Sequence, residues 1–376
     1  MTALIPRTQY ASLADCVYLN QASLGLLGQP TVEAMHRFVD DVARHGNLNM
    51  SDADEVRYFE QLRERAARLF RADADRIAIL SSASEMLGQI PLLVPPIAGR
   101  KILAVATDFP AVTRPWLRLA ASGDCQLQFV EDNPASDLTD DLIAALDRQT
   151  ALIAVSSVQY ATGSQIDVVR LQRAAKQVGA RLIVDATQAA GALAIDAAAW
   201  DADVIVSSGY KWLGGHGGVA LAVMAPSLLK RMPALPGWMG APDPFDFDAT
   251  KLRLADDARR YTQSTMSYVS IAGLTAALDQ LLALDEASIE AHARRLAERL
   301  IEKSSRCGWQ PFRELSDPAA SPHIISLMRP DKALSATQDA LRRANVVCSS
   351  RGGRVRVSLA PYNDESDIDA LVAALG

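Results

Sequence analysis

The chain has 376 residues, of which 49% are hydrophobic, with 38 basic and 44 acidic side chains and a formal net charge of −6. This length exceeds one ordinary core, so we expect a large domain and a smaller one. The acidic balance and the lack of a basic stripe argue against nucleic-acid binding. Apolar runs are short and interrupted by proline, which argues against a membrane span.

The N-terminus and the cysteines indicate a reducing compartment. No basic region leads into an apolar core near the start, as a secretory signal peptide would require. The cysteines lie far apart without C-x-x-C spacing, at Cys16, Cys125, Cys307 and Cys348. We therefore predict a cytoplasmic protein with free thiols, no disulfide framework and no metal site.

Seven short apolar runs alternate with amphipathic helical patterns through the first part of the chain. The runs are nearly continuous in valine, isoleucine, leucine and alanine, which is typical of strands buried on both faces of a mainly parallel sheet. They lie at 76–82, 101–109, 125–132, 151–160, 181–188, 203–210 and 218–225. This alternation predicts a doubly wound α/β domain.

The remainder of the chain predicts a smaller α+β domain. An aromatic, turn-rich segment at 235–248 is followed by a long helical pattern from about Ile271 to Lys303. Strand patterns separated by helices then continue to the C-terminus. We assign 15–255 to the large domain, and 1–14 with 256–376 to the small domain.

Small polar residues stand at the ends of nearly all the strand patterns. Ligands of open parallel sheets bind at the carboxyl ends of the strands. Turn chemistry alone would explain one such residue, but a series that includes an aspartate and a lysine predicts a ligand site. The residues are Ser81, Ser82, Thr107, Asp108, Gln159, Tyr160, Asp185, Ser207 and Ser208, with Lys211 shortly after the last.

Asp185 and Lys211 fit the needs of pyridoxal phosphate. This cofactor requires a lysine amine for a Schiff base and a carboxylate that keeps its ring nitrogen protonated. A carboxylate about 4 Å from that nitrogen would contribute roughly 4 kcal/mol at an effective dielectric near 20, which is about three pKa units. Taken singly, Asp185 could be a turn aspartate and Lys211 a surface lysine.

The segments "VDATQAAG" and "SSGYKW" resemble motifs of the class V aminotransferase family, which includes cysteine desulfurases, kynureninases and isopenicillin-N-epimerase-like proteins. The resemblance runs from "VYLNQASLG" to "RVRVSLAPYND". It implies a fold-type I pyridoxal-phosphate-dependent transferase, with a mainly parallel seven-stranded sheet in the large domain and a smaller α+β C-terminal domain. It also implies Asp185 at the ring nitrogen, Gln188 near the ring hydroxyl, Ser208 and Tyr210 on the phosphate, and Lys211 as the Schiff-base lysine.

A helix N-terminus supplies a candidate anion site. Ser82 and Glu85 have the spacing of a capping box, which would leave the backbone N–H groups of Ala83 and Ser84 free for a phosphate. An ordinary capped helix would show the same pattern. The resemblance implies that Ala83 and Ser84 bind the cofactor's phosphate.

Further cofactor contacts follow from the resemblance. It implies that Phe109 stacks on the ring, although Phe109 could otherwise belong to the core, and that Gln159 contacts the ring hydroxyl. It implies that Thr265, with Ser264, reaches the phosphate of a neighbouring subunit, which would make the protein a homodimer with a shared active site. Either residue would also suit an ordinary helix N-cap.

The substrate side is expected to recognise an amino acid. A bidentate guanidinium suits a carboxylate, and the resemblance implies that Arg356 has this role and that Asn20 lies in the substrate loop. Arg351 and Arg354 are nearby alternatives that we expect to be solvated. Trp238 is a candidate for the pocket wall. We interpret the glycines of "GGHGG" as structural support, because such a turn needs positive φ angles and close backbone approach, and His216 as a loop residue.

The resemblance implies an external aldimine and loss of the Cα proton to Lys211, and we favour transamination thereafter. A lyase, by β-elimination, C–S cleavage or kynureninase-like cleavage, and an epimerase remain alternatives. Cys348 follows a strand pattern, which favours a buried thiol over a persulfide-forming nucleophile. A nicotinamide dehydrogenase is disfavoured because no G-x-G-x-x-G opens a helix. A catalytically silent binding protein with this fold is the non-enzymatic alternative.

Overall fold

The computed structural model describes residues 2–95 and 100–376. The strands are β1 Val17–Tyr18, β2 Ile77–Leu80, β3 Lys101–Val105, β4 Gln126–Val130, β5 Thr150–Ser156, β6 Arg181–Asp185, β7 Val204–Ser208, β8 Ala220–Met224, β9 Gln310–Pro311, β10 Ile324–Met328, β11 Val346–Val347, β12 Ser349–Arg351 and β13 Arg354–Ser358. The helices are α1 Gln29–His45, α2 Asp52–Phe70, α3 Ala83–Leu93, α4 Pro110–Ala121, α5 Leu138–Ala144, α6 Val168–Val178, α7 Ala197–Trp200, α8 Tyr268–Leu282, α9 Glu286–Ser305, α10 Leu334–Arg343 and α11 Glu365–Leu375.

A seven-stranded sheet forms the centre of the molecule, in the order β2-β8-β7-β6-β5-β3-β4. Its strands are parallel except β8, which runs antiparallel to both of its neighbours. Each of the seven apolar runs contains one of these strands, so the predicted mainly parallel sheet is confirmed. Strand β4 departs from the predicted burial on both faces, because it is the edge strand and is largely exposed.

Helices cover both faces of this sheet, which explains the continuous apolar runs. On one face, Ile183 and Val206 belong to a core that includes residues of α3 and α4. On the other face, Leu182 and Ile205 belong to a core that includes residues of α2, α6 and α8. Because successive residues of a strand point to opposite faces, both kinds of position must be apolar.

The C-terminal part forms a separate antiparallel sheet, in the order β12-β13-β10-β9. Helices α9 and α11 share a hydrophobic core with its strands β10 and β13. The N-terminal chain joins this part, since β1 pairs with β11 and Asn20 forms a bridge with Ser358. This pairing carries the segment that follows Asn20 towards the carboxyl ends of the large sheet.

The single long helix predicted from about Ile271 to Lys303 is wrong. The segment forms α8 and α9, because Asp285 caps a new helix by accepting a hydrogen bond from the backbone N–H of Ser288 at 3.0 Å. Helix α8 shares the core of the large sheet. The domain boundaries stay a prediction, and this packing favours placing the boundary after α8.

The described residues contain no helix that is long and apolar enough to cross a membrane. They also contain no group of three or more His, Cys, Asp or Glu side chains that could hold a metal ion. All four cysteines are free thiols.

Candidate active site

Asp185 and Lys211 lie at the same edge of the large sheet. Asp185 ends β6, and β6 pairs in parallel with β7, whose end lies three residues before Lys211. Both side chains are buried, with 5% of Asp185 and 6% of Lys211 exposed. The tertiary structure therefore brings together the carboxylate and the amine that the sequence predicts.

The surroundings of Lys211 favour its uncharged amine. Burial lowers the pKa of Lys211 to about 8; the nearby Asp185 opposes this shift, and Arg356 and Arg351 add to it. Burial raises the pKa of Asp185, while a hydrogen bond from Thr187 and the charge of Lys211 oppose the rise. A lysine that loses its proton near neutral pH can act as a nucleophile and as a base.

The segment that follows Asn20 encloses the backbone of the lysine. The Gln21 amide donates to the Lys211 carbonyl at 2.8 Å, and the Gly25 N–H donates to the Tyr210 carbonyl at 2.9 Å. A Cβ at Gly25 would lie 2.3 Å from the Lys211 carbonyl oxygen, so only glycine fits there. The sequence gives no indication of this role for Gln21, because its partner is the backbone carbonyl of a distant residue.

The glycines after Lys211 allow a tight turn and close packing. Gly214 and Gly218 have φ angles of +70° and +97°, in the left-handed region that favours glycine. A Cβ at Gly215 would lie 2.8 Å from the side chain of Leu274 in α8. His216 is exposed, and its Nδ1 lies 3.0 Å from the Gly217 carbonyl oxygen.

Phe109 forms an aromatic wall beside the lysine. Lys211 Nζ lies 5.2 Å from the centroid of the Phe109 ring, and the Phe109 ring is 38% exposed. The alternative that Phe109 is a core residue is therefore wrong. The ring of Tyr160 meets Phe109 edge to face at 5.4 Å, so Tyr160 also belongs to the site, although the sequence indicated it only as a strand-end residue.

Asp108 holds Phe109 and Gln159 in place. Its buried carboxylate accepts hydrogen bonds from the Phe109 N–H at 2.6 Å, from the Ser156 hydroxyl at 2.5 Å and from the Gln159 amide at 3.3 Å. Burial raises the pKa of Asp108 to about 6 against these bonds. The Gln159 side-chain oxygen is buried and has no hydrogen-bond partner in the part of the chain that the structure describes.

The N-terminus of α3 offers free backbone donors. The Ser82 hydroxyl accepts from the Glu85 N–H at 3.1 Å, as predicted. The second half of the capping box is wrong, because the Glu85 carboxylate accepts from the Ser81 N–H at 2.9 Å instead. Within the described residues, no backbone carbonyl pairs with the N–H of Ala83 or Ser84. Ser84 and Phe109 line one open cavity of about 620 Å³.

The other predicted cofactor residues lie close to Lys211 in the structure. Ser208 is buried and donates its N–H to Thr187 at 3.1 Å, and the Tyr210 ring centroid lies 5.8 Å from Lys211 Nζ. The Gln188 amide donates to the Ala22 carbonyl at 3.0 Å and accepts from Trp212 at 2.8 Å. Gln188 thus links the N-terminal segment to the lysine segment, and its contact with a ring hydroxyl stays a prediction.

Thr265 and Ser264 are exposed and lie before α8. The helix N-cap is Ser267, whose hydroxyl accepts from the Ser270 N–H at 3.4 Å. The N-cap alternative for Thr265 and Ser264 is therefore wrong. The Ser264 hydroxyl accepts from the indole of Trp238 at 3.3 Å.

Arg356 extends into the site from β13 and is almost completely buried, with 1% exposed. Its guanidinium donates to the Tyr160 carbonyl at 2.8 Å and to the Ser23 hydroxyl at 2.5 Å, while its Nε has no partner among residues 2–95 and 100–376. Burial lowers the pKa of Arg356 to about 10, and Arg351 adds to this effect. The Asn20 side-chain oxygen is also buried and has no partner among the same residues.

Cys348 is poorly suited to nucleophilic chemistry. It lies between β11 and β12, and burial raises the pKa of its thiol to about 12. A thiol with so high a pKa is almost entirely protonated at neutral pH, and the thiolate is the nucleophile. Cys348 is only half-buried, so the predicted buried thiol is not confirmed, while the raised pKa supports the expectation that Cys348 is not a persulfide-forming nucleophile.

The unpaired donors and acceptors of this site fit pyridoxal phosphate. Free N–H groups at a helix N-terminus suit its phosphate, and the buried Gln159 oxygen accepts no hydrogen bond from the described residues, which leaves it free for a ligand. Asp185 and Lys211 are a carboxylate and an amine at one edge of the sheet, the two kinds of group that the ring nitrogen and the aldehyde of this cofactor require. The fold and the site together define a fold-type I pyridoxal-phosphate enzyme.

Comparison with known proteins identifies the family. The family model "Aminotransferase class-V" matches residues 17–371, and the chain therefore belongs to the class V aminotransferase family, whose enzymes depend on pyridoxal phosphate. It is 24% identical over 363 residues to the uncharacterized aminotransferase YcbU of Bacillus subtilis, covering 96% of this chain and 94% of the relative. It is 28% identical to the cysteine desulfurase CsdA of Escherichia coli, covering 98% of this chain and 96% of the relative.

Other relatives differ in reaction. The chain is 27% identical to a kynureninase of Deinococcus radiodurans, covering 86% of this chain and 77% of the relative. The solved structure of Escherichia coli CsdA superimposes with a TM-score of 0.86 at 23% identity, covering 98% and 96%. The solved structure of the cystine C–S lyase C-DES superimposes with a TM-score of 0.88 at 21% identity, covering 98% of this chain and 99% of that chain. These structures confirm the predicted fold and leave the reaction open.

The pKa of Lys211 predicts the pH dependence of cofactor uptake. Covalent attachment requires the neutral amine, so the rate at which the apoprotein gains visible absorbance with pyridoxal phosphate should rise with pH to a midpoint near 8, in place of the ordinary 10.5. Between about pH 8 and pH 10.5, the lysine keeps its proton in the unfolded chain but loses it in the folded apoprotein. The free energy of unfolding of the apoprotein should therefore increase with pH across this range. A midpoint near 10.5 would contradict the prediction.

Proposed function

We propose that the protein catalyses transamination, moving the amino group of an α-amino acid to a keto acid. The observation that carries the proposal is the buried Lys211, whose pKa near 8 lets it take up and return a proton at neutral pH. Pyridoxal phosphate supplies an electron sink that stabilises the carbanion formed at Cα. In support, four side chains that interact with the lysine are not thiols, as a persulfide-forming site would need; they are Arg351, Arg356, Asp185 and Tyr210.

The proposed roles of the residues around Lys211 are as follows. Asp185 keeps the cofactor's ring nitrogen protonated, and Phe109 stacks on the ring, an interaction worth about 0.5–1.5 kcal/mol beyond the buried area. Gln159 contacts the ring hydroxyl from a position fixed by Asp108. Arg356 binds the α-carboxylate of the substrate and thereby places its Cα proton next to Lys211.

The proposed phosphate ligands and the assembly complete the site. Ala83, Ser84, Ser208 and Tyr210 bind the phosphate, and Gln188 supports the ring side. We infer that Thr265 reaches the phosphate of a second copy of the chain, because it is exposed and lies outside the helix that follows it. The protein would then act as a homodimer, with Asn20 contacting the substrate.

A β-eliminating lyase is the second candidate. The 28% identical relative CsdA is a cysteine desulfurase, so C–S bond cleavage occurs in a relative that matches nearly the whole chain. A desulfurase proper would need a reactive cysteine thiol near Lys211, and the high pKa of Cys348 argues against this role. Elimination needs no such thiol, so it fits this site better than persulfide formation does.

The visible spectrum of the holoenzyme separates these reactions. Amino acids are added singly, and the cofactor's absorbance is followed together with keto acid and ammonia. A band that bleaches and returns only when a keto acid is added supports transamination. A band that recovers by itself while keto acid and ammonia accumulate supports the lyase and contradicts transamination.

A further inference from the structure

Two guanidinium groups converge on one serine of the N-terminal segment that contacts the Lys211 backbone. Arg356 donates to the Ser23 hydroxyl at 2.5 Å, and Arg351 reaches the same oxygen at 3.4 Å. Ser23 lies between Asn20 and Gly25, in the segment that encloses Lys211. Two cations therefore meet at a single neutral oxygen.

Neither cation is neutralised by a carboxylate within residues 2–95 and 100–376. The remaining hydrogen bonds of the two groups go to backbone carbonyls, of Tyr160 for Arg356 and of Ser350 for Arg351. Arg351 lowers the pKa of both Arg356 and Lys211, so all three cations share one electrostatic field. Like charges held together in this way favour a bound anion.

Binding of one α-carboxylate requires only one of the two guanidinium groups. Arg356 is almost completely buried, so it suits the carboxylate next to the reacting carbon, whereas Arg351 is only half-buried, at the end of β12. The cofactor's phosphate has its own donors at the N-terminus of α3 and at Ser208. The guanidinium of Arg351 is therefore left for a group further along the substrate.

We propose that the site is selective for amino acids with a second acidic group, such as a side-chain carboxylate, and that Arg351 binds this distal group. The inference rests on the proposed function, in which Arg356 binds the α-carboxylate. Arg351 is then the residue that determines specificity, and Ser23 holds the two guanidiniums at a fixed separation when no substrate is bound.

Unreactive acids test this without catalysis. Isothermal titration of the holoenzyme with glutarate and with pentanoate compares a diacid with a monoacid of equal chain length. We expect glutarate to bind about ten- to hundredfold more tightly, the range of one charge-assisted hydrogen-bonded pair. Arg351→Gln should remove this advantage and leave pentanoate binding within about twofold.

Arg354→Gln is the matched control, because Arg354 pairs with Arg351 across the β12–β13 hairpin but places its guanidinium over Phe312, at 4.6 Å from the ring centroid. This variant should keep the preference for glutarate. Equal binding of glutarate and pentanoate by the unaltered enzyme would overturn the inference. Equal weakening of both acids in Arg351→Gln would also overturn it, since Arg351 would then serve the α-carboxylate.

L-Glutamate and L-glutamine extend the test to substrates of nearly equal shape. The inference expects a lower KM for glutamate, and loss of that difference in Arg351→Gln. A lower KM for glutamine would overturn it while leaving the proposed transamination intact. If no amino acid changes the visible spectrum, the proposed function fails instead.

Discussion

Replacing Lys211 by alanine should abolish covalent attachment of the cofactor and lower kcat by about 10⁴-fold. General acid–base catalysis alone contributes about 10²–10⁴, and the lysine also serves as the nucleophile that holds the cofactor. The structure supports this expectation, because Lys211 Nζ lies 5.2 Å from the centroid of the Phe109 ring and interacts electrostatically with the Asp185 carboxylate. The measurements are kcat and the visible spectrum after gel filtration.

Lys230→Ala is the control for this change, since Lys230 is exposed. It should leave the spectrum and kcat unchanged. Retention of a covalently attached cofactor in Lys211→Ala would show that another amine carries it. The assignment of the site would then be wrong.

Asp185→Asn should lower kcat by about 10²- to 10³-fold. The change removes the negative charge at nearly constant volume, and a carboxylate about 4 Å from the ring nitrogen is worth roughly 4 kcal/mol at an effective dielectric near 20, or about three pKa units. Asp185 also raises the pKa of Lys211. The midpoint of cofactor uptake should therefore fall below about pH 8 in this variant.

Asp203→Asn provides a matched control at the opposite end of the same sheet. Asp203 precedes β7 and accepts a hydrogen bond from the Leu182 N–H at 2.9 Å, far along β6 from Asp185. It should reduce the free energy of unfolding without changing the pH midpoint. Equal kcat values for Asp185→Asn and the unaltered enzyme would contradict the ring-nitrogen role.

Much of the large sheet could be predicted from local pattern. A strand buried on both faces must be apolar at successive positions, so Ile183 and Val206 mark their strands without any tertiary information. Asp185 and Lys211 were predictable because parallel strands place their carboxyl ends at one edge. Membership in the class V aminotransferase family confirms the cofactor that this pair suggested.

Contacts between distant segments of the chain could not be predicted from the sequence. Gln21 binds the Lys211 carbonyl across 190 residues, and Asp108 fixes Gln159 across 51. The long helical pattern does not show the break between α8 and α9, because Asp285 could equally be a polar residue within a helix. Only the structure shows that Asp285 is the N-cap of α9. Arg351 is predicted from the sequence to be solvated, but it is half-buried and reaches Ser23, because the local sequence of a hairpin does not indicate which distant residues its side chains contact.

The sequence by itself determined the mainly parallel sheet and the placement of Asp185 and Lys211 at one edge of it, because these depend on periodicity and on residue type at strand ends. Only the tertiary structure decided which groups surround the lysine and what charge they impose. Burial lowers the pKa of Lys211, and the fold brings Arg351 and Arg356 to Ser23 across more than 300 residues. Burial and long-range proximity are properties of the packed chain, so no local segment encodes them.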